Sequence, residues 1–300
     1  MKLRTFAIYF FLTWGLFCSC VKEDYGNCHN YYVVNLSYMG DSIKEIFDWK
    51  INKVQMYIFD RDTTFWVAKE LTKDEVRERC CTLPKLYEGG YKAIFIGNPH
   101  STIVGGLTSS DYESMLFAAE DYVDGKDVST NDSLYFSAID VEIAPFNKKR
   151  PITYLDVPFV SSHYDVSVEI VGVPSLGNTP GRYPTVKIEG VSPYTDFTNK
   201  ACGEATDYIL ETRYDGVNTL AGRCNIMRHL NHEDVHLKVY SPQEKELASV
   251  NFAEFIAANS KYINTSKNEV LIPIRVEFKS VDVEITVPDW AVEELLPEFN

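Results

Sequence analysis

The chain has 300 residues, of which 45% are apolar and 13% aromatic, and a formal charge of −14. That apolar share supports a real buried core, in one large domain or two of ordinary size. The acidic balance repels phosphate backbones and anionic lipid faces, and no basic cluster larger than Lys148-Lys149-Arg150 offsets it, which argues against a nucleic-acid partner.

Lys2 and Arg4 form a positive n-region, Phe6 to Phe17 an apolar h-region, and small Ser19 precedes Cys20. This is the order of a secretory signal, and it is too short to span a bilayer. A small residue at −1 suits a signal peptidase, and a Cys at +1 supplies a thiol for diacylglyceryl attachment. Residues 1–19 therefore read as a lipoprotein signal peptide, Cys20 as the acylation site and residues 20–30 as a lipidated tether. Several acyl chains hold a protein on a membrane stably where one holds it only reversibly. Loss of Lys2 and Arg4, with no acid, takes the formal charge from −14 to −16.

Beyond the tether the dominant period is two. Tyr32, Val34, Leu36 and Tyr38 alternate with polar neighbours, and residues 51–59 repeat the pattern with more apolar residues, so that second strand is expected to lie deeper. Asp60-Arg61-Asp62 supplies a turn and Phe65-Trp66-Val67 a return, which makes residues 51–68 a hairpin. Tyr91 to Ile96 and Leu134 to Phe136 read as further strands. Short helices are expected at Thr72 to Val76, at 110–119 under a Ser110 and Asp111 cap, and from Asn251 through Tyr262.

The pattern breaks between Phe146 and Pro151. We place one β-sandwich at 31–148 and a second at 149–300, whose strands include 165–170, 185–188, 208–210, 235–239, 270–278 and 281–287. The expected fold class is all-β with minor helices, in two tandem sandwiches. Gly172 to Pro184 and Gly190 to Gly203 read as long polar loops, the natural place for a contact surface.

After Cys18 leaves and Cys20 takes its lipid, Cys28, Cys80, Cys81, Cys202 and Cys224 remain. Cys80 and Cys81 would face opposite sides of a strand, leaving one free to meet Cys28. Cys202 and Cys224 could close a loop, and buried free thiols are an equal alternative.

One catalytic pattern occurs, His232-Glu233-Asp234-Val235-His236, with His229 nearby. A zinc protease needs both His on one helical face. Here Val235, Leu237 and Val239 alternate as a strand, on which four residues span roughly 13 Å, too far for a shared metal. No phosphate loop, calcium loop or carboxylate pair is legible. Trp49, Trp66 and Trp290 read as core or edge-packing aromatics rather than sugar platforms. The expectation is a non-enzyme without metal or cofactor.

Several landmarks in order carry a family resemblance. They are Cys20-Val-Lys-Glu-Asp with Cys28 behind it, Val54-Gln-Met-Tyr-Ile-Phe-Asp60, Leu83-Pro84 through Glu88-Gly89-Gly90-Tyr91, Asp132-Ser-Leu-Tyr-Phe136, and Val283-Glu-Ile-Thr-Val-Pro-Asp-Trp290. Together they resemble the FimB-like fimbrial anchor and tip lipoproteins of Bacteroidales. Lys22, Glu23 and Asp24 likewise resemble the export signal that sends Bacteroidetes lipoproteins to the outer face of the outer membrane; a solvated tether is the plainer account.

The resemblance implies transthyretin-like domains and a place at one end of a fimbria, with stalk or accessory subunits as partners joined by β-strand exchange. Stalk subunits of the family lose an N-terminal strand by proteolysis after a basic residue. No such site is evident here, and the cut would release the lipid, which favours an anchor. The alternative is a stand-alone lipoprotein that binds a glycan or host ligand through the loops of its C-terminal half.

Overall fold

The computed structural model describes residues 30–61, 64–107, 116–146, 152–172, 183–229, 232–279 and 282–291. In the first half the strands are β1 (Tyr31–Ser37), β2 (Val54–Asp60), β3 (Phe65–Glu70), β4 (Cys80–Thr82), β5 (Gly89–Gly97), β6 (Thr102–Gly105), β7 (Leu116–Ala119) and β8 (Tyr135–Ile143). The middle of the chain adds β9 (Ile152–Pro158), β10 (Val160–Ser161), β11 (His163–Val171), β12 (Thr185–Val191), β13 (Tyr194–Asp196), β14 (Ala201–Cys202) and β15 (Thr206–Ile209). It closes with β16 (Thr212–Tyr214), β17 (Thr219–Met227), β18 (His236–Tyr240), β19 (Glu246–Asn251), β20 (Leu271–Phe278) and β21 (Val283–Thr286). Short helices α1 (Phe47–Lys50), α2 (Lys73–Arg77), α3 (Glu120–Val123) and α4 (Phe252–Ala258) interrupt them.

The protein is an all-β sandwich fold. A sheet ordered β4-β1-β9 faces one ordered β10-β8-β5-β2-β3. Between them lies a core of Val34 and Leu36 from β1, Met56 and Ile58 from β2, Ala93 and Phe95 from β5, and Val157 from β9. Later in the chain, β16-β17-β11-β20-β21 faces β15-β12-β18-β19. Val166, Val168 and Ile170 of β11 alternate into that second core against Ile188, Leu237 and Ile274, as a strand with one buried face must. Pro273 fits in β20 because β21 pairs only with Arg275 to Phe278, so no ladder bond is lost where the proline sits.

The deeper burial expected for residues 51–59 has a structural cause: β2 and β5 are covered on both faces. Tyr57, Phe59, Ile94 and Ile96 point away from the first core, into a cluster with Phe117, Phe197 and Met227. A sheet ordered β14-β13-β7-β6 supplies that second cover. Burying both faces of a strand demands the near-continuous apolar run seen in Met56-Tyr57-Ile58-Phe59.

Two sequence expectations fail here. The helix expected at 110–119 is a strand at its C-terminal end, because Leu116 to Ala119 pair with both β6 and β13 and that double ladder outweighs a local helical pattern; positions 110–115 lie outside the described residues. Strand β9, assigned from sequence to the second half, pairs in parallel with β1, and Val160 and Ser161 of β10 continue onto β8. Strands β9 and β10 thus belong to the first sheet system. The other helices form where expected: Thr72 makes a reciprocal capping box with Glu75, and the Asn251 side chain caps α4 by accepting from Glu254 N at 3.0 Å, although α4 stops at Ala258, short of Tyr262.

Candidate functional site

The residues predicted to carry lipid and export signal, Cys20, Lys22, Glu23 and Asp24, lie outside the described residues, as does Cys28. What the structure describes is the place where their tether joins the fold. Asn30 donates from Nδ2 to the carbonyls of Ala144 (3.0 Å) and Pro145 (3.1 Å). The Tyr32 hydroxyl donates to Glu142 O at 3.1 Å and accepts from Ala144 N at 3.0 Å. These bonds hold the start of β1 against the end of β8, beside a cavity of about 190 Å³ lined in part by Leu83, Tyr87 and Pro145. From there β1 runs through the middle of its sheet, between antiparallel β4 and parallel β9.

The far end of β1 leads into a polar junction between the two sandwich systems. Asp41 accepts from Asn268 N through Oδ1 and from Glu269 N through Oδ2, each at 2.8 Å, and Asn268 Nδ2 donates to Gly40 O at 3.0 Å. Glu269 receives both the Tyr38 hydroxyl and the Lys50 ammonium. Burial first, and then this carboxylate, push the Tyr38 phenol far above its ordinary range. Tyr38 was legible as the continuation of the β1 alternation. Its partner was not, since nothing local links positions 231 residues apart.

The predicted contact loops resolve differently. Positions 173–182 lie outside the described residues. The stretch from Gly190 to Gly203, expected to be a polar surface loop, is instead a β-hairpin, β13 and β14, whose first strand pairs with β7. Its turn is tied by Asp196 Oδ1, which accepts from Thr198 N (2.8 Å) and Lys200 N (3.0 Å), with Asn199 at φ +62°. That turn delivers fully buried Phe197 onto Phe117, with ring centroids 4.4 Å apart, and edge-on to Tyr57 and Phe59. Polar residues mark the turn, and the single aromatic among them does the packing.

The H-E-x-x-H pattern does not converge. His232 is buried, with its ring 5.8 Å from that of His229 and 5.4 Å from that of Tyr164. His236 starts β18 and neighbours Asn251 Nδ2 at 3.2 Å. Among the described residues no group of three or more His, Cys, Asp or Glu is arranged to hold a metal. Cys80, Cys81, Cys202 and Cys224 are all free thiols, so Cys202 and Cys224 close no loop. Cys81 is buried and Cys80 half-buried, on opposite faces as expected, and burial pushes both Cys81 and Cys224 up to about 12. Of the described tryptophans none is a core residue: Trp49 is exposed under the Lys44 ammonium, Trp66 stands edge-on to Tyr87, and Trp290 donates to Glu169 at 2.6 Å.

His229 carries a pH dependence. Its Nε2 faces Ser192 N at 3.3 Å and so acts as an acceptor, which only the unprotonated nitrogen can do. Burial, reinforced by His232, depresses its pKa to about 4. The unfolded ring titrates near 6.5, so its contribution is complete above that pH and is lost as pH falls toward 4. We expect unfolding free energy to drop by about 3 kcal/mol across that window from this residue alone. Urea titrations of wild type and His229→Gln at pH 7 and pH 4 check this, the variant showing the smaller drop.

Residues 25–295 match the family of fimbrillin-A associated anchor proteins Mfa1 and Mfa2. No curated protein sequence matches the chain. Among solved structures, the fimbrial anchor protein Mfa2 from Porphyromonas gingivalis aligns with TM-score 0.66 at 16% identity, over 86% of this chain and 96% of its own. A candidate adhesin from Bacteroides ovatus aligns with TM-score 0.70 at 14% identity, over 87% of this chain and 95% of its own. A candidate polysaccharide-binding protein from Bacteroides thetaiotaomicron gives TM-score 0.65 at 11% identity, over 86% and 96%. At these identities the structures speak for the fold, and the match across residues 25–295 speaks for the family: the chain belongs to the fimbrillin-A associated anchor proteins Mfa1 and Mfa2.

Proposed function

We propose that this chain is a surface lipoprotein that anchors a fimbria to the outer membrane, held by acyl chains on Cys20 and exported through Lys22, Glu23 and Asp24. The observation that carries this is family membership over residues 25–295, which begins five residues after Cys20. The hydrogen-bonded start of β1 supports it, since a tether pulls usefully only on a strand that is itself held. Stalk or accessory subunits are the partners, joined by strand exchange at sheet edges that offer unpaired backbone groups. We divide the molecule into two sandwiches meeting near Ser162, because β9 and β10 pair with the first system and β11 opens the second.

A tip subunit would share the fold but not the need for a membrane hold. Replacing Cys20 with Ala in the native cell separates the two. The anchor role predicts fibres that lengthen or are shed into the medium; fibres of unchanged length and attachment exclude it. A stand-alone glycan receptor loses one of its two candidate loops to the β13–β14 hairpin, and an isolated soluble protein that binds glycan while copurifying with no fibre subunit would restore that reading.

A further inference from the structure

We infer that the parallel β1–β9 pair is a shear clamp that carries tension between the membrane tether and the second sandwich. The inference rests on the tether role proposed above, and the geometry supplies the rest. Force enters at Asn30, at the N-terminal end of β1, and leaves through the C-terminal end of β9, where Phe159 and β10 lead directly into β11. Because the strands are parallel, with Tyr31 beside Ile152 and Ser37 beside Pro158, those two points lie at opposite ends of a seven-residue ladder. Tension therefore slides β1 along β9 and strains all the ladder bonds together. Had the strands run antiparallel, the same attachment points would have lain at one end and the bonds would have opened singly.

Side-chain burial adds to the hold. Sliding must draw Tyr32, Val34 and Leu36 out of the core they share with Val157 and Phe159, all less than 10% exposed. Phe159 N donates to Ser37 O at 2.8 Å, so by alternation the N–H groups of Leu155 and Val157 also face β1, while that of Tyr154 faces away. Among the described residues, strand β9 has no neighbour on its other side, so an outward-facing N–H there makes no ladder bond with them. The second sandwich continues the same geometry. Antiparallel β11 and β17 pair from His163–Met227 to Val171–Thr219, so pulling on Val217, 81% exposed just before β17, loads that ladder in shear as well.

Single-molecule pulling on the soluble full chain from residue 20 tests the clamp, with the second handle either at Val217 or at exposed Ile152. The first pair of handles shears β1 against β9; the second peels them from their shared end. We expect a clearly higher rupture force in the first geometry at equal loading rate, since forced unfolding follows the barrier of the loaded path. Leu155→Pro, which removes a bond facing β1, should lower that force, and Tyr154→Pro should leave it unchanged. Equal forces in the two geometries, or no effect of Leu155→Pro in a variant that folds, overturn the clamp. The geometry comparison stands without any variant, so poor folding of Leu155→Pro does not shelter the idea. Unchanged fibres after Cys20→Ala would remove the anchor role and leave the mechanical result intact, so the two failures are distinguishable.

Discussion

Replacing Phe197 with Ala should cost about 3–5 kcal/mol of unfolding free energy, the range for deleting a fully buried aromatic ring. Its side chain is completely buried against Phe117, Tyr57 and Phe59, at centroid distances of 4.4, 5.8 and 5.5 Å. Two of those partners, Tyr57 and Phe59, stand on the back of β2, which the first sandwich leaves bare. Without Phe197 the cluster it forms with Phe117, Tyr57 and Phe59 has a hole and the back face of β2 loses part of its cover. Urea unfolding followed by tyrosine and tryptophan fluorescence checks the magnitude. Phe197→Leu should recover most of the loss, because it refills most of the volume. A loss below about 1 kcal/mol for the Ala variant would mean that the hairpin is a surface appendage, as its polar composition had suggested.

Outside β2 and β5, whose burial on both faces writes an apolar run instead, the longer strands of the sandwiches were legible because one buried face writes a period of two into the sequence. The runs 165–170 and 235–239 are plain cases. Three kinds of feature were not legible. The β13–β14 hairpin hides its contribution in one residue, Phe197, amid the Asp196, Thr198 and Asn199 that form its turn. The pairing of β9 with β1 is parallel and crosses most of the first half of the chain, and no local signal tells a strand at 152–158 which sheet it will join. The junction of Asp41, Asn268 and Glu269 depends on contacts 227 and 228 residues apart, made largely with backbone groups that any sequence would offer. The proposed lipid site is the reverse case. The proposal for Cys20 rests on sequence alone, on the signal-like order of the residues before it, because such chemistry depends on processing rather than on the fold.

Gly190→Ala should be the most damaging single methyl group in the second sandwich. Gly190 lies in β12 with φ +81°, where the pairing with β15 slips between Ile188 and Val191. A Cβ there would sit 2.0 Å from Asp234 O and 3.0 Å from its carbonyl carbon, both main-chain atoms that cannot swing aside as a side chain can. The left-handed backbone alone costs an alanine about 1–2 kcal/mol, and over-packing adds about 1–3 kcal/mol. The total expected loss is thus about 2–5 kcal/mol. The same contact explains why the His232 to His236 segment is no metalloprotease helix: Asp234 sits in a turn pressed on Gly190, with Val235 buried behind it and β18 starting at once. Glu189, the residue before it in β12, pairs with Lys238 at 2.8 Å, so a shift at Gly190 would also disturb the β12–β18 register. Thermal unfolding of Gly190→Ala beside Gly216→Ala separates these causes. Gly216 has a similar φ of +84° and nothing within 4 Å of its would-be Cβ, so it reports the backbone cost alone. We expect Gly190→Ala to lose at least twice as much as Gly216→Ala; equal losses would show that the turn at Asp234 yields freely and that the close approach of β12 to it does not fix the sheet.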